Sequence, residues 1–244
     1  MSQDSPFLSV IIPAFNEEKR LGRTLQGMVD YLGGKDFASE LIVVDDGSTD
    51  RTGEVARSFA GGAVPVEVLG YRPNRGKGHA VKTGMLAARS QYALFADADM
   101  STPIEMLERF LPLMKEKVQV IIGTRKTAGA YVGKRQPFYR ENMGKVFTWL
   151  SNTVLGLHVS DFTCGFKCFH HSAIEPVFGS QRIDGWGYDT EIIFIAHRRR
   201  FSIREVPVEW FNDEATRVRL LKNVFTCLAE LYQIRNNCRK GIYG

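Results

Sequence analysis

The 244-residue chain is predicted to fold as an α/β protein with a mainly parallel sheet that helices cover on both faces. Short apolar runs rich in β-branched residues alternate with segments of helical periodicity, and the runs lack the polar alternation of a half-exposed strand. Polar residues also follow nearly every run. Because open α/β sheets bind ligands beyond the carboxyl ends of their strands, we expect a ligand site at that edge.

The apolar runs predict strands at Leu8–Pro13, Leu41–Val44, Val64–Gly70, Tyr92–Ala96 and Val118–Gly123. The helical spacing of apolar residues predicts helices at Glu17–Leu32, Thr52–Phe59, Lys77–Ala88, Pro103–Lys115, Glu141–Leu157, Glu191–Arg199 and Arg217–Arg235. We expect Thr102 and Glu105 to form a capping box for the fourth helix, and Asp189 to cap the helix that follows it. Cys164 and Cys168 lie in a further strand-like segment.

The composition says more about the location of the protein than about its activity. The net charge of +5 suits phosphorylated substrates, anionic lipid or nucleic acid, and does not choose among them. The longest weakly polar run, Val146–Ser160, is shorter than the roughly 20 apolar residues that a membrane span needs. The four cysteines show no paired metal spacing, and the sequence shows no signal peptide, so we expect a reduced, cytoplasmic location.

Asp97 and Asp99 follow the fourth predicted strand, two residues apart. Alternate residues of an extended chain share a face, so both carboxylates are expected to point toward one spot. Hard oxygen ligands of this kind suit Mg²⁺ or Mn²⁺, with a substrate diphosphate completing the coordination. The alternative is an acidic turn that satisfies the backbone amides of the next helix.

Other strand ends supply the rest of a nucleotide-diphosphate site. The segment Arg72–Gly78 combines glycines with basic residues, including Lys77, in a form that would cradle phosphate at a helix start. Its Gly-x-Gly has neither the Walker nor the Rossmann spacing. Acids, prolines and an arginine end the other strands, at Pro13–Glu17, Asp45–Asp50 and Gly123–Arg125.

Seven motifs occur in one order along the chain: Ile12–Glu17, Val43–Asp50, Arg75–Gly78, Asp97–Asp99, Gly123–Arg125, Ser160–Lys167 and Glu205–Val208. In that order they resemble family-2 glycosyltransferases of the GT-A fold, specifically the dolichyl- or polyprenyl-phosphate sugar synthases. The resemblance covers nearly the whole chain. It implies a single GT-A domain over residues 1–244, with a nucleotide-sugar-binding half at 1–125 and an acceptor-binding half with amphipathic helices at 126–244.

The resemblance also implies roles for individual residues. Asp97 would contact the nucleotide sugar, while Asp99 and Ser101 would hold the metal, although some relatives carry glutamine where Ser101 stands. Arg125 and Arg140 resemble the arginines that face the acceptor phosphate. The remaining donor-site residues would be Pro13, Phe15, Glu17, Val44, Asp46, Lys77, Ala98 and Arg217, of which the last stands where a lysine is usual.

Asp161 stands near the position of an acid that is considered the catalytic base in related transferases. A sugar hydroxyl must lose a proton during attack, so a carboxylate base would help. A phosphate monoester, with a second pKa of about 6, is already largely anionic at neutral pH. For a phosphate acceptor we therefore expect Asp161 to position the acceptor or a water, while Arg125, Arg140 and Lys167 screen the acceptor charge.

These residues indicate an inverting, metal-dependent glycosyltransferase that moves a hexose from a nucleotide diphosphate sugar to a polyprenyl or dolichyl phosphate. The Asp161–Lys167 segment looks closer to the glucosyl than to the mannosyl synthases, so UDP-glucose is the first expected donor and GDP-mannose the second. One alternative is a family-2 transferase that acts on a saccharide hydroxyl in cell-envelope synthesis. A module that binds nucleic acid or lipid is a further alternative, but it leaves Asp97 and Asp99 unexplained, and we expect no nucleic-acid partner.

Two predicted helices, Glu141–Leu157 and Arg217–Arg235, carry an apolar stripe with polar residues opposite. Each stripe suits either packing on the core or insertion into the surface of a bilayer. Basic residues that include Arg217, Arg219 and Lys222 flank the second helix, and suit either solvent or anionic lipid. We therefore expect peripheral contact with the cytoplasmic face of a membrane as one possible location.

Overall fold

A computed structural model describes residues 5–134, 138–211 and 220–244, with only the backbone described at 134, 138–140, 220–225 and 227. The strands are β1 Leu8–Ala14, β2 Ser39–Asp45, β3 Val66–Gly70, β4 Tyr92–Phe95, β5 Val120–Thr124, β6 Tyr131–Lys134, β7 Lys167–His170, β8 Ile203–Pro207 and β9 Glu209–Phe211. The α-helices are α1 Leu21–Gly33, α2 Thr52–Arg57, α3 Lys77–Ala87, α4 Leu111–Lys115, α5 Phe138–Leu155, α6 His171–Phe178, α7 Tyr188–Arg198 and α8 Leu220–Arg239.

The main sheet has seven strands in the order β3-β2-β1-β4-β7-β5-β8. Every neighbouring pair is parallel except the two pairs that involve β7, which is antiparallel to both β4 and β5. The prediction of a mainly parallel sheet is therefore confirmed. The second half of the chain inserts β7 between two strands of the first half, which local periodicity does not reveal.

Apolar cores lie on both faces of this sheet, as the doubly covered arrangement requires. Along β1, Ile11 belongs to one cluster of buried residues, whereas Val10 and Ile12 belong to the other. Helices α3, α6 and α7 supply residues to the first cluster, and α1 supplies residues to the second. Because alternate side chains of a strand point to opposite faces, a fully apolar strand needs a cover on each side.

The predicted helix Pro103–Lys115 is wrong as a single α-helix. Residues Ile104–Arg109 form a 3₁₀ helix, and α4 begins only at Leu111. Pro112 lacks the N–H that a continuous helix would use there, and it lies in the first turn of α4, where that donor is not needed. The predicted capping box is absent as well, because no side chain hydrogen-bonds to the start of the 3₁₀ helix.

Two other helix starts differ from the predictions. Helix α1 begins at Leu21 and not at Glu17, because Asn16 has a positive φ of 56° and the backbone N–H of Glu17 donates to Thr52 Oγ1. Helix α7 begins at Tyr188, after Gly187, so Asp189 lies in the first turn and does not cap the helix. The start of α1 therefore depends on a contact with a residue 35 positions away.

Candidate active site

The carboxyl ends of β1, β2, β4 and β5 lie at one edge of the sheet, and β7 starts there. Residues that follow the parallel strands lie at this edge. Because β7 is antiparallel to its neighbours, the residues that precede β7 lie at the same edge. The register pairs Lys167, the first residue of β7, with Phe95 on one side and with Ile122 on the other. The segment Asp161–Phe166 is therefore brought beside Asp97 and Arg125.

The loops after β1 and β2 are tied together by hydrogen bonds. The backbone N–H of Asn16 donates to Ser48 Oγ at 3.0 Å, and the N–H of Thr49 donates to Asn16 Oδ1 at 2.8 Å. Beside this junction the Phe15 ring is 40 % exposed, which leaves an aromatic surface free to pack against a planar ligand. The Glu17 carboxylate forms an ion pair with Arg20.

Asp46 is nearly inaccessible, at 3 % exposure, because the loop after β3 surrounds its carboxylate. Its oxygens accept from Asn74 Nδ2 at 2.8 Å and from the backbone N–H groups of Arg75 at 2.8 Å and Gly76 at 3.0 Å. Gly76 has a φ of 105°, a conformation that L-residues rarely adopt. Asp46 thus holds the loop that leads into α3, in addition to any contact with a nucleotide.

Asp97 is fixed between a cation and a glycine. Lys77, at the start of α3, donates to Asp97 Oδ1 at 2.5 Å. Gly165 lies on the other side, so close that a Cβ there would stand 2.1 Å from Asp97 Oδ2. Burial alone would lower the pKa of Lys77, but the carboxylates of Asp97, Asp189 and Asp99 outweigh it and raise the pKa, so the ammonium stays charged.

Asp99 and Ser101 have the chemistry of a divalent-cation site. Asp99 Oδ1 accepts the N–H of Ser101 at 2.9 Å, and burial, followed by the negative charge of Asp97, raises the pKa of Asp99. A cation would relieve the repulsion between the two carboxylates. Among the described residues no group of three or more His, Cys, Asp or Glu side chains could hold a metal. The Asp99 carboxylate is the kind of ligand that Mg²⁺ uses, since this ion commonly takes one or two carboxylates and completes its coordination with substrate phosphates.

Asp161 and Arg125 form a buried, bidentate ion pair. Arg125 Nε donates to Asp161 Oδ2 at 2.7 Å and Nη2 donates to Oδ1 at 2.8 Å, while Nη2 also donates to Thr163 Oγ1 at 2.8 Å. The Asp161 side chain has no exposed surface, whereas that of Arg125 is 18 % exposed. Burial would raise the pKa of Asp161, but the Arg125 charge and its hydrogen bonds outweigh burial and hold that pKa far below its usual range.

Lys167 does not face an acceptor, contrary to the prediction from the sequence. Its side chain is fully buried, donates to the Cys164 carbonyl at 2.5 Å and forms an ion pair with Asp189. Its Nζ lies 5.2 Å from the centre of the Phe95 ring. The sequence predicts Lys167 as one of the basic groups that screen the acceptor charge, but the position of β7 between two strands buries it.

The structure brings most of the predicted residues to this edge, but in different ways. The Val44 and Ala98 side chains are buried in the apolar clusters, so only their backbones can reach a ligand. Pro13 is likewise buried within β1. Arg140 lies in α5 with its side chain outside the described part, and Arg217 and Arg219 lie outside the described residues altogether, as does the side chain of Lys222.

Sequence reasoning missed the contributions of Gly165 and Asp189. The glycine lies in a motif that was recognised, but its tight approach to Asp97 depends on how two distant segments meet. The sequence predicts Asp189 as a helix cap, because a carboxylate near a helix start most often has that role. A signal was available in Lys167, since a lysine within an apolar strand needs a buried acid as its partner.

In residues 5–134, 138–211 and 220–244, no helix combines the length and apolar character needed to cross a bilayer.

Comparisons with known proteins agree on the family. The profile of glycosyl transferase family 2 matches residues 9–178. A dolichyl-phosphate beta-glucosyltransferase of Trichomonas vaginalis is 34 % identical over 225 residues, which cover 88 % of this chain and 68 % of that protein. The enzyme of the same name from Saccharomyces cerevisiae is 31 % identical, with 97 % and 76 % covered, and the one from Homo sapiens is 32 % identical, with 88 % and 71 % covered.

Solved structures show the same fold. Glucosyl-3-phosphoglycerate synthase from Mycobacterium tuberculosis, in complex with Mn²⁺, UDP-glucose and phosphoglyceric acid, superposes with a TM-score of 0.66 at 22 % identity and covers 95 % of this chain and 80 % of that one. At 22 % identity the similarity shows only that the two proteins share a fold. The family profile, the relatives at 31–34 % identity and the strand order together show that the chain belongs to glycosyl transferase family 2.

Proposed function

We propose that the protein transfers glucose from UDP-glucose to a dolichyl or other polyprenyl phosphate, with inversion at the anomeric carbon. One observation carries the choice of acceptor. Asp161, the acid that contacts the Arg125 guanidinium directly, is buried and already paired with that arginine. An acceptor that needs no base, such as a phosphate monoester, fits this arrangement, whereas a sugar hydroxyl does not.

The donor would occupy the edge between the β1–β2 loops and the start of α3. The exposed Phe15 ring offers a stacking surface for the uracil. The backbone N–H groups of Arg75, Gly76 and Gly78 are already engaged by Asp46 and Asp184, so side chains would have to contact the diphosphate there. Lys77 carries the positive charge of this region and lies against Asp97. In this proposal Asp97 contacts the nucleotide sugar, as the resemblance of the motif implies.

A divalent ion, Mg²⁺ or Mn²⁺, is the proposed cofactor, held by Asp99 and Ser101. Bound there, it would neutralise charge on the departing diphosphate. The chain's own contribution is to hold the Asp99 carboxylate through the Ser101 N–H and to bury it beside Asp97. The M. tuberculosis synthase is known in complex with Mn²⁺ and UDP-glucose, and also with Mg²⁺ and UDP, which supports the proposal by fold analogy alone.

Arg125 is the proposed contact for the acceptor phosphate. Two of its guanidinium nitrogens are engaged by Asp161 and Thr163, so the group is held in one orientation. Arg125 also lies over the Trp210 ring, 5.3 Å from its centre. A guanidinium that is fixed in this way can present its remaining N–H edge to phosphate without first losing side-chain entropy.

Contact with a membrane surface forms part of the proposal, because the acceptor carries an apolar prenyl chain. Large side chains stand exposed on α5 and α8, which pack against each other: Trp149 is 66 % and Tyr232 70 % exposed. Aromatic residues of this kind favour the interface of a bilayer. We propose a peripheral position on the cytoplasmic face of a membrane, for which flotation with liposomes is the direct test.

The activity is tested with purified protein, radiolabelled UDP-glucose, Mn²⁺ and a short polyprenyl phosphate. We expect a glucosyl-lipid product, loss of transfer when EDTA removes the metal, and recovery when excess Mn²⁺ or Mg²⁺ is added. GDP-mannose in place of UDP-glucose tests the donor. Transfer to a saccharide hydroxyl, with none to polyprenyl phosphate from either donor, would contradict the proposal.

A further inference from the structure

Lys167, the last residue of the Ser160–Lys167 motif, forms an ion pair with Asp189 that the proposed reaction does not use directly. Lys167 is fully buried and Asp189 is 4 % exposed. Burying two charges is unfavourable before their attraction is counted, and such pairs are often no more stable than apolar residues of the same volume. Stability alone therefore does not explain why a lysine starts the central strand β7.

Through Lys167, the pair contacts one turn of the backbone. The Lys167 ammonium donates to Asp189 and also to the carbonyl oxygen of Cys164, at 2.5 Å. The N–H of Gly123, in β5, donates to the Phe166 carbonyl at 2.8 Å. The turn Cys164–Phe166 is thus held at both of its ends, once by a buried charge and once by a neighbouring strand.

This turn forms one wall around Asp97. Gly165 stands so close that a Cβ would lie within 2.1 Å of Asp97 Oδ2 and within 2.6 Å of Oδ1. Lys77 contacts the same carboxylate from the other side. A shift of the turn by a few tenths of an ångström would therefore change the space that is open to the Asp97 carboxylate.

We propose that Lys167 and Asp189 are a positioning pair, which holds the Cys164–Phe166 turn against Asp97 and so fixes that carboxylate for the nucleotide sugar. The inference rests on the proposed donor site, because it takes Asp97 as a donor contact. Asp189 serves as the counter-ion that holds the Lys167 ammonium against the Cys164 carbonyl. Positioning of this kind requires no contact between either residue and the donor.

Three variants separate positioning from folding. Lys167→Met leaves Asp189 buried without its partner and should lower both the Tm and the affinity for UDP. The double variant Lys167→Met/Asp189→Leu removes both charges and should recover much of the Tm, because apolar residues can replace a buried ion pair. Its affinity for UDP–Mn²⁺ should stay about 10- to 100-fold below that of the wild type, the usual effect of losing a residue that orients a ligand-binding group.

Gly165→Ala keeps both charges and crowds the same carboxylate, so it should show the same loss of affinity if the double variant fails to fold. Tyr92→Phe is the matched control for destabilisation. Its buried hydroxyl donates to the Met114 carbonyl at 2.9 Å, at the opposite end of β4, so it should lower the Tm and leave the affinity for UDP unchanged.

Binding of UDP with Mn²⁺ is measured by calorimetry, and kcat and KM for UDP-glucose are measured where transfer occurs. Wild-type affinity in the double variant, or in Gly165→Ala, would overturn the inference. The binding measurement needs no acceptor, so a wild-type protein that binds UDP but transfers no glucose would contradict the proposed function and leave the test of the pair intact.

Discussion

Replacement of Asp161 by asparagine tests whether this residue anchors Arg125 or acts as a base. The carboxylate is fully buried, and it accepts from Arg125 Nε, Nη2 and backbone N–H at 2.7, 2.8 and 3.2 Å. Removing one partner of a buried ion pair costs about 3–5 kcal/mol. Because the Arg125 side chain keeps 18 % exposure and the asparagine oxygen still accepts, we expect a loss near the lower end, about 3 kcal/mol.

For a protein of this size, each kcal/mol corresponds to about 2–4 °C in Tm, so Asp161→Asn should lower the Tm by roughly 6–12 °C. Glu108→Gln is the matched acid-to-amide control. Its ion pair with Lys35 lies on the surface, where Glu108 is 53 % exposed, and such pairs contribute at most about 1 kcal/mol. Differential scanning calorimetry of both variants beside the wild type measures the contrast.

The pH dependence has a definite sign. The folded-state pKa of Asp161 lies below the unfolded value of about 3.9. Its stabilising contribution is therefore complete above that unfolded pKa and is lost as the pH falls toward the folded pKa. The difference in Tm between wild type and Asp161→Asn should be constant from pH 5 to 8, about the range where both states are ionised, and should shrink in stronger acid.

The same variant bears on the chemistry. A general base contributes about 10²- to 10⁴-fold to the rate, whereas an anchor of Arg125 should mainly raise the KM for the acceptor. We expect kcat to fall by less than about 100-fold, the lower limit of a base's contribution. A loss of about 10³-fold or more in kcat, with Tm and donor affinity unchanged, would refute the anchoring role and favour a hydroxyl acceptor.

Two further variants probe the frame of the site. Gly76→Ala should lower the free energy of unfolding by about 1–3 kcal/mol and weaken UDP binding. The φ of 105° excludes most L-residues, and the new Cβ would lie 2.7 Å from the Asp184 carbonyl oxygen. A wild-type Tm and a wild-type affinity for UDP in calorimetry would contradict this prediction. Tyr243→Phe removes the hydroxyl that donates to Glu191 Oε1 at 2.5 Å and should cost about 1–3 kcal/mol. Burial raises the pKa of Glu191, so the wild-type stability that this shift provides is present at low pH and is lost as the pH rises through the folded pKa. The deficit of Tyr243→Phe should be largest where Glu191 is ionised and should shrink on acidification; a deficit independent of pH in thermal unfolding would count against a hydrogen bond to the carboxylate.

The sequence alone determined the class of fold and the edge on which the site is built. Strands that are apolar along almost their whole length, such as Leu8–Ala14, must be covered on both faces, and the polar residues after them must gather where parallel strands end. Asp97, Asp99 and Arg125 were identified because they follow strands directly. Their place at this edge follows from their position directly after a strand, which the sequence shows.

Tertiary structure alone decided which groups are free and which are already engaged. The insertion of β7 between β4 and β5 buries Lys167, brings Gly165 against Asp97 and places Asp161 under Arg125. No local pattern in the sequence indicates these contacts. The paired residues Arg125 and Asp161 are 36 positions apart, and β7 has neighbours from the other half of the chain. The sequence does not distinguish a carboxylate that is open to substrate from one that is already paired. Only the partner that the fold brings to the carboxylate determines its pKa and its role.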